Sequence, residues 1–160
     1  MKISTRGEYG LRALMEMGME PGSAVSLRDI AERQNISLDY LEQIMPSLKT
    51  AGLIKARRGA HGGYQLTRPA EEITLYDALV ALEGSLDPKE CLADDIPEEE
   101  RCPASGSCAV QEVWIDMRDA MKYALKKKTL AGLIERQRDR FKVPIHTNTD
   151  KEILRLVVFN

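Results

Sequence analysis

All the cysteines of the chain lie in one short segment, residues 90–108, which reads ECLADDIPEEERCPASGSC. They are Cys91, Cys102 and Cys108. Thiolates are preferred ligands of iron-sulfur clusters and of zinc, and thiols are also the groups that oxidants convert reversibly. The segment is rich in acidic residues and proline and poor in hydrophobic residues, so it has little means of building a core. It therefore predicts a loop that binds metal or reports redox state.

The length and composition indicate the size, fold class and compartment of the protein that contains this loop. The 160 residues fit one ordinary domain with an appended arm, and the few aromatic residues favour helices over a sandwich or barrel. Neither a secretory signal nor a run of eighteen apolar residues is found, so we expect a cytoplasmic protein without a membrane partner. In that reducing compartment, clustered cysteines indicate metal binding or redox sensing rather than structural disulfides.

Charge is divided unevenly along the chain. Residues 1–70 carry ten Lys and Arg against seven Asp and Glu, a net charge of +3. The remaining ninety residues carry thirteen against eighteen, a net charge of −5. This asymmetry indicates that the N-terminal half meets a polyanion.

The periodicity of the first half predicts a winged helix-turn-helix. Apolar spacing and capping residues predict helices over about 5–19, 26–35, from 37 onward, and 74–84. Two predicted strands, 53–57 and 64–67, flank the glycine-rich GAHGG. Helices joined by a tight turn and followed by a hairpin are typical of a DNA-binding unit.

A long amphipathic helix is predicted over about 109–127, and a further helix begins at Thr129. The long helix has an apolar stripe that a lone winged domain cannot cover, which favours a two-fold homodimer. The alternative is that it folds back onto the first helix. The fold class is thus mainly α with a small β-hairpin wing, with domains at 1–84 (DNA binding), 85–108 (cysteine loop), 109–135 (dimerisation helix) and 136–160 (C-terminal tail).

Candidate DNA-binding residues follow from this arrangement. The third helix offers its N-terminal side chains to the major groove of double-stranded DNA, and basic groups near the wing neutralise phosphates or enter the minor groove. His61 lies at the wing tip and faces either DNA or solvent. The recognition-helix candidates are Ser37, Asp39, Tyr40 and Glu42; the others are Lys49, Lys55, Arg57, Arg58 and His61.

These motifs together resemble the Rrf-two family of bacterial winged-helix transcription regulators. The resemblance rests on MKISTRGEYGLRAL, ISLDYLEQI, AGLI with RRGAHGGYQLTRPAEEITLYDAL, and three cysteines before a Trp-containing helix. It implies a dimeric repressor with crossed long helices that binds a palindromic operator. It also implies a 2Fe-2S or 4Fe-4S cluster, held by the three cysteines, that senses redox state, nitric oxide, iron or cluster status.

The fourth cluster ligand departs from one pattern of this family and fits another. Some members use a His three residues after the last cysteine, where this chain has Gln111. Others use a carboxylate near the N-terminus of the partner subunit, and Glu8 stands at the matching place. The alternative for Glu8 is a capping box from Thr5 to Glu8 that bonds the start of the first helix.

Two other functions stay open from the residues alone. The cysteines can form a zinc site or a thiol switch, since three thiolates and one further ligand satisfy tetrahedral zinc. The winged helix can also serve as a protein-interaction module with the acidic loop as docking surface. An enzyme is not expected, because no nucleophile has a partner at catalytic spacing and no phosphate-binding glycine loop opens a helix; no small-molecule substrate is expected either.

Overall fold

The computed structural model describes residues 3–59, 62–92, 97, 102 and 107–142. Its helices and strands confirm a mainly α fold with a two-stranded wing. In chain order they are α1 (Thr5–Met19), α2 (Leu27–Gln34), α3 (Leu38–Thr50), β1 (Ile54–Arg57), β2 (Gly63–Leu66), α4 (Leu75–Glu83), α5 (Ala109–Lys126) and α6 (Leu130–Lys142). Short 3-10 helices occupy Ala70–Glu72 and Glu90–Leu92.

Side-chain caps fix where the helices of the N-terminal half begin. The hydroxyl groups of Ser4, Ser26 and Thr74 accept hydrogen bonds from amides in the first turns of α1, α2 and α4. Each bond satisfies one of the amides that a helix start leaves without a partner. The tight turn between α2 and α3 is made by Asn35, which adopts the left-handed conformation (φ 50°) and caps the carboxyl end of α2.

The wing is an antiparallel hairpin whose register pairs Ile54 with Leu66 and Arg57 with Gly63. The main chain of Val25 lies on the other side of β2 and exchanges two hydrogen bonds of 2.8 Å with Tyr64. A Cβ atom at Gly63 would collide with the carbonyl oxygen of Val25. Glycine at this position therefore allows the strand before α2 to close against the wing.

One hydrophobic core holds the winged unit together. It is formed by residues of α1, α2, α3, β1, α4 and α6, and Leu14, Ile30, Leu41, Leu48 and Leu130 are fully buried within it. No residue of α5 belongs to it. Because α2 and α3 both contribute to this core, the recognition helix is fixed rigidly against the body.

The long helix and the last helix take different positions. Helix α5 packs against α4 and the 3-10 helix at 90–92, whereas α6 packs against α1. The alternative that the long helix folds back onto the first helix is therefore wrong. The space beside α1 is filled by α6, whose Leu130 and Ile134 are buried in the core.

The starts of α4 and α6 are tied to each other by main-chain hydrogen bonds. The amide of Leu75 donates to the carbonyl of Lys128, and the amide of Leu130 donates to the carbonyl of Ile73, both at 2.8 Å. These bonds flank the isolated bridge between Thr74 and Thr129. After the cysteine segment and α5, the chain thus rejoins the body beside the start of α4, the helix from whose other end it departed.

Candidate nucleic-acid interface and cysteine site

The first turn of the recognition helix α3 is open to solvent. Ser37, Asp39 and Glu42 are all exposed there. Ser37 occupies the N-cap position, but its side chain makes no capping hydrogen bond, unlike the other three hydroxyl caps. Its hydroxyl is therefore not committed to capping the helix and is free to meet a ligand.

Tyr40 takes a different position from its neighbours. Its ring meets Tyr9 of α1 edge-on, with the centroids 5.7 Å apart and the planes at 85°. The side chain is half-buried and packs against the core. This contact could not be predicted, because helical spacing does not show which neighbour a half-buried ring meets. Edge-to-face packing stabilises α1 against α3.

The basic candidates surround the recognition helix. Lys49 lies exposed in the last turn of α3, and Lys55, Arg57 and Arg58 are exposed along β1 and just beyond it. His61 lies outside the described residues. An exposed row of cations on a hairpin beside an exposed helix start is the distribution that phosphate contacts require.

A buried polar cluster between α1 and α2 was not found by sequence reasoning. Glu16, buried on α1, accepts hydrogen bonds from Arg33 (3.2 Å) and Gln34 (2.5 Å), and Glu20 also accepts from Arg33 (2.7 Å). Arg12 donates to the side chain and carbonyl of Gln34 at 2.8 and 2.6 Å. The hydrogen bonds to Glu20 and Glu16 raise the pKa of Arg33. The cluster fixes the end of α2, and hence the turn into α3, against α1.

A signal for this cluster does exist in the sequence. Glu8, Arg12, Glu16 and Glu20 follow one another at four-residue spacing, which places them in one row along α1. What spacing cannot show is that α2 supplies the complementary side chains.

Glu8 lies at the start of this row and is largely exposed, with 64% of its side chain accessible. Its carboxylate is 3.6 Å from the guanidinium of Arg12. The capping-box alternative is wrong, because the N-cap is Ser4, which accepts from the amide of Gly7. The carboxylate of Glu8 therefore takes part in one exposed ion pair and no cap, and solvent screening leaves such a pair weak.

The three cysteines all precede α5: Cys91 lies in the 3-10 helix at 90–92, and Cys108 is the N-cap of α5. All three are free thiols; Cys91 and Cys108 are half-buried and Cys102 is exposed. Gln111 joins two of them: its amide donates to the carbonyl of Cys108 at 2.9 Å, and its side chain donates to the carbonyl of Cys91 at 3.5 Å. The residue that replaces a histidine ligand thus holds the backbones of two candidate ligands near each other.

Within the described part of one chain, the cysteine site does not contain enough ligands to hold a metal ion. In residues 3–59, 62–92, 97, 102 and 107–142, no three His, Cys, Asp or Glu residues converge in the manner of a metal site. Glu8 accordingly does not join Cys91 and Cys108 of its own chain. The donor chemistry of the three thiols nonetheless suits a thiolate-ligated centre.

The described helices include none that is both long and apolar enough to cross a bilayer.

Known proteins share this fold and sequence. The Rrf2 family, described as an iron-dependent transcriptional regulator, matches residues 3–136. The HTH-type transcriptional regulator CymR of Bacillus subtilis is 42% identical over 134 residues, 83% of this chain and 89% of CymR.

Solved structures agree with the sequence matches. The structure of CymR, the global cysteine regulator of B. subtilis, has a TM-score of 0.68 and 40% identity, covering 84% of this chain and 97% of CymR. The structure of IscR from T. potens has a TM-score of 0.67 and 35% identity, covering 86% of this chain and 88% of IscR. These relatives are transcriptional regulators and not enzymes. From the winged helix, the matched sequence and the shared fold, the chain belongs to the Rrf2 family of transcriptional regulators.

Proposed function

We propose that this protein is a homodimeric repressor that binds a palindromic operator and whose DNA binding is controlled by an iron-sulfur cluster. The observation that carries the DNA-binding part is the exposure of the α3 start and of the wing arginines on one rigid body. The cluster part is supported by the three free thiols, two of which are held through Gln111.

The recognition helix reads bases in this proposal through Ser37, Asp39 and Glu42. Carboxylates accept hydrogen bonds from cytosine N4 in the major groove, and a hydroxyl bonds a base or a phosphate. Tyr40 contributes by its packing on Tyr9, which fixes the position of α3 relative to α1. Its role is therefore one of positioning, with its hydroxyl as the remaining group for DNA.

The basic residues supply affinity rather than base selection. Lys49 and Lys55 neutralise phosphates, and Arg57 and Arg58 extend from the wing into the narrow minor groove. His61 completes the wing-tip contacts. The electrostatic part predicts an affinity that falls steeply as the salt concentration rises.

Helix α5 is the dimerisation surface. Val110, Val113 and Met117 follow helical spacing along one side, and they are 55, 51 and 50% exposed in the single chain. Burial of such a side chain contributes about 1.5–3 kcal/mol. A second copy supplies that burial and places two recognition helices at about the 34 Å spacing of successive major grooves.

The cluster ligands are Cys91, Cys102 and Cys108, with Glu8 of the partner subunit as the fourth. A bound 2Fe-2S or 4Fe-4S cluster would supply a redox-active, ligand-exchanging group. The protein's part would be to hold the ligands: Gln111 bonds the backbones of Cys91 and Cys108, and Cys102 would supply the third thiolate.

The same residues connect the cysteine site to the DNA-binding surface. When Glu8 engages a partner's cluster, it leaves the ion pair with Arg12. Arg12 also bonds Gln34 at the turn into α3 and lies 5.6 Å over the ring of Tyr9. Because the Glu8–Arg12 pair is exposed and weak, its loss would act mainly through Arg12, whose bonds to Gln34 connect this site to the turn into α3.

The cluster part is tested with anaerobically purified protein. We expect a brown protein with iron and sulfide in near-equal amounts, and a difference of about tenfold or more in DNA affinity between loaded and metal-free forms. The variant Cys108→Ser is expected to lose the iron, whereas Ser107→Ala keeps it as the matched control. A colourless, iron-free product after reconstitution would contradict the cluster while leaving DNA binding untouched.

The DNA part is tested on a palindromic fragment selected from a random library by the wild-type chain. We expect Arg58→Ala to weaken binding by about tenfold or more and to reduce the salt dependence. Arg136→Ala removes an equally exposed arginine from α6 and serves as the control. Equal affinity of all three chains would contradict the role of Arg58, and failure of the wild-type chain to select any fragment would instead favour a protein-interaction module.

A second candidate is a zinc or thiol switch at the same cysteines. It is favoured by the free thiols and by the likeness to CymR, a cysteine regulator, and the absence of a complete ligand group in the described part of one chain favours the thiol switch over zinc. Stoichiometric zinc without sulfide would decide for zinc. A disulfide that forms reversibly and changes DNA affinity would decide for a thiol switch.

A further inference from the structure

A groove of about 960 Å³ lies on the side of the body away from α5. It runs between the end of α1, the strand β2 with the segment that follows it, and the exposed side of α6. The residues that matter for the argument are Gly18, Leu66, Arg68, Ala70, Ile134 and Arg138.

The floor of this groove is apolar. A Cβ atom built on Gly18 would lie 2.5 Å from Cδ1 of Ile134, 3.5 Å from Cδ1 of Leu66 and 3.7 Å from Cβ of Ala70. Three apolar groups therefore converge on the glycine, where three elements meet. Charged residues of α6 and of the segment after β2 form the rim.

One wall of the groove is the end of strand β2, whose outer edge is only partly covered. Tyr64 uses its outward amide and carbonyl to bond Val25, while Thr67 points inward and bonds Leu53. Strand alternation then turns the amide and carbonyl of Leu66 outward, to the same edge as those of Tyr64. Within the described residues, these groups of Leu66 make no main-chain hydrogen bond beyond the hairpin. The edge is therefore open at Leu66, the last residue of β2, for pairing with an added segment.

Arg68 provides an unpaired donor beside this edge. Its Nε atom is buried and has no hydrogen-bond partner in the described part of the chain. Its Nη2 atom is 3.6 Å from the carboxylate of Asp77, which leaves the Nε unsatisfied. A buried donor of this kind calls for an acceptor.

The C-terminal tail begins beside the groove. Helix α6 ends at Lys142, and Arg138 and Asp139 of its last turns line the groove. Ten residues separate Lys142 from Ile153. They reach at most about 33 Å when extended, which is enough for the chain to turn back along the groove.

The tail has the composition that such a groove accepts. Residues 153–159 read ILRLVVF, with Arg155 as the one polar residue. Branched and aromatic side chains of this kind favour a strand. In a strand, Leu154, Leu156 and Val158 share one face, which is wholly apolar. The preceding Asp150 and Glu152 carry the charge that suits Arg68 and Arg138.

We propose that residues 153–159 bind in this groove of their own chain, as an added strand beside Leu66. The apolar face covers the floor around Gly18, and Asp150 and Glu152 meet the partly exposed guanidinium groups of Arg68 and Arg138 at the rim. The occupied groove ties the end of α6 to the base of the wing. The proposal depends neither on the cysteines nor on DNA binding.

Amide hydrogen exchange of the full-length protein tests this docking. We expect the amide of Leu66 to exchange about tenfold or more faster in Leu154→Asp/Leu156→Asp than in the wild-type chain. The control Thr147→Asp/Thr149→Asp adds the same charges to the linker and is expected to change nothing. Equal exchange of Leu66 in all three chains would overturn the proposal.

A variant of the groove separates the tail from other occupants. Ala70→Glu places a charge on the groove floor and is expected to accelerate exchange at Leu66 as the tail variant does, whereas Ala51→Glu on the exposed end of α3 is not. If the amide of Leu66 is protected only at high protein concentration, and if its exchange rate is the same in the tail variants as in the wild-type chain, a second copy occupies the groove. That result would also overturn the proposal.

Discussion

Helix α1 and helix α5 are similar in length and amphipathic character, yet one is buried and the other is not. Six of the fifteen residues of α1 are buried, whereas none of the eighteen residues of α5 is. The difference lies in their neighbours: α1 meets α2, α3, α4, α6 and the wing, while α5 meets α4 and a short 3-10 helix. An apolar face shows that a helix needs a partner; in the described part of the chain, the body surrounds α1 with several partners but offers α5 only α4.

This contrast divides the molecule into a body and an arm. The body is formed by α1 to α4, the wing and α6, which share one core. The arm is formed by the cysteine segment and α5, whose apolar side needs a second chain to cover it. Substitutions in the body should act on folding of the single chain. Substitutions in the arm should act on association and on the cysteine site.

The largest effect is expected in the body. Leu14→Ala removes a side chain that is fully buried on α1, and we expect a loss of about 2–5 kcal/mol in the free energy of unfolding. Urea denaturation followed by circular dichroism measures it. Val113→Ala is the comparison in the arm and is expected to change the unfolding of dilute protein by less than about 1 kcal/mol. Similar losses for both would remove the distinction between body and arm.

The next effect is expected at the arm and in association. Met117→Asp places a charge in the exposed apolar stripe of α5, and we expect the dissociation constant of the dimer to rise by about tenfold to a hundredfold. Sedimentation velocity over a dilution series measures this. Met117→Leu keeps the apolar volume and should leave the dimer intact. A chain that is monomeric before the substitution would contradict the role of α5.

A smaller effect is expected for a substitution in the wing, at Gly63 of β2. Gly63→Ala introduces a Cβ atom against the carbonyl of Val25, and we expect a loss of about 1–3 kcal/mol in stability. DNA affinity should fall with it, because the wing is displaced from the strand before α2. Thermal denaturation and DNA binding measure the two effects. The replacement Ala56→Gly in the same hairpin is the control. Unchanged stability and DNA affinity in Gly63→Ala would show that β2 accommodates the Cβ atom without a loss of stability.

The smallest effect is expected at Gln111, which contacts the backbone of two cysteines in the arm. Gln111→Ala deletes the side-chain hydrogen bond to the carbonyl of Cys91, which contributes about 0.5–1.5 kcal/mol. We expect Cys91 to be alkylated faster by iodoacetamide, with no change in the unfolding of the body. Mass spectrometry of the labelled peptide measures the rate. Glu112→Ala, at the exposed neighbouring position, should not alter it.

The sequence predicted the local features well because their causes are local. The start of α1 and the caps Ser26 and Thr74 follow from side chains that bond their own backbone neighbours, and the tight turn at Asn35 follows from a residue type that tolerates the left-handed conformation. The winged-helix fold follows from the order of such elements, and the family match confirms it.

Features that depend on contacts between distant segments were not predictable in the same way. The sequence placed Tyr40 among the DNA contacts, but the side chain packs on Tyr9. It offered a capping role for Glu8, which pairs with Arg12 instead. It read Gln111 as a poor ligand, and the contact with Cys91 arises only because the chain folds the two segments together. In each case the residue type was informative, while its partner was decided by tertiary packing.

The bridge between Thr74 and Thr129 has a consequence for how such proteins can diversify. Thr129 is bridged to the start of α4, and the arm departs from the end of the same nine-residue helix, so the two connections of the arm lie about 14 Å apart. A loop and a long helix of different length or chemistry can be exchanged between Gly84 and Thr129 without replacing Ala78 or Leu82 of α4 in the core. One winged body is thereby able to serve several sensory modules, and a chimera spliced at Gly84 and Thr129 would inherit its DNA specificity from one parent and its signal from the other.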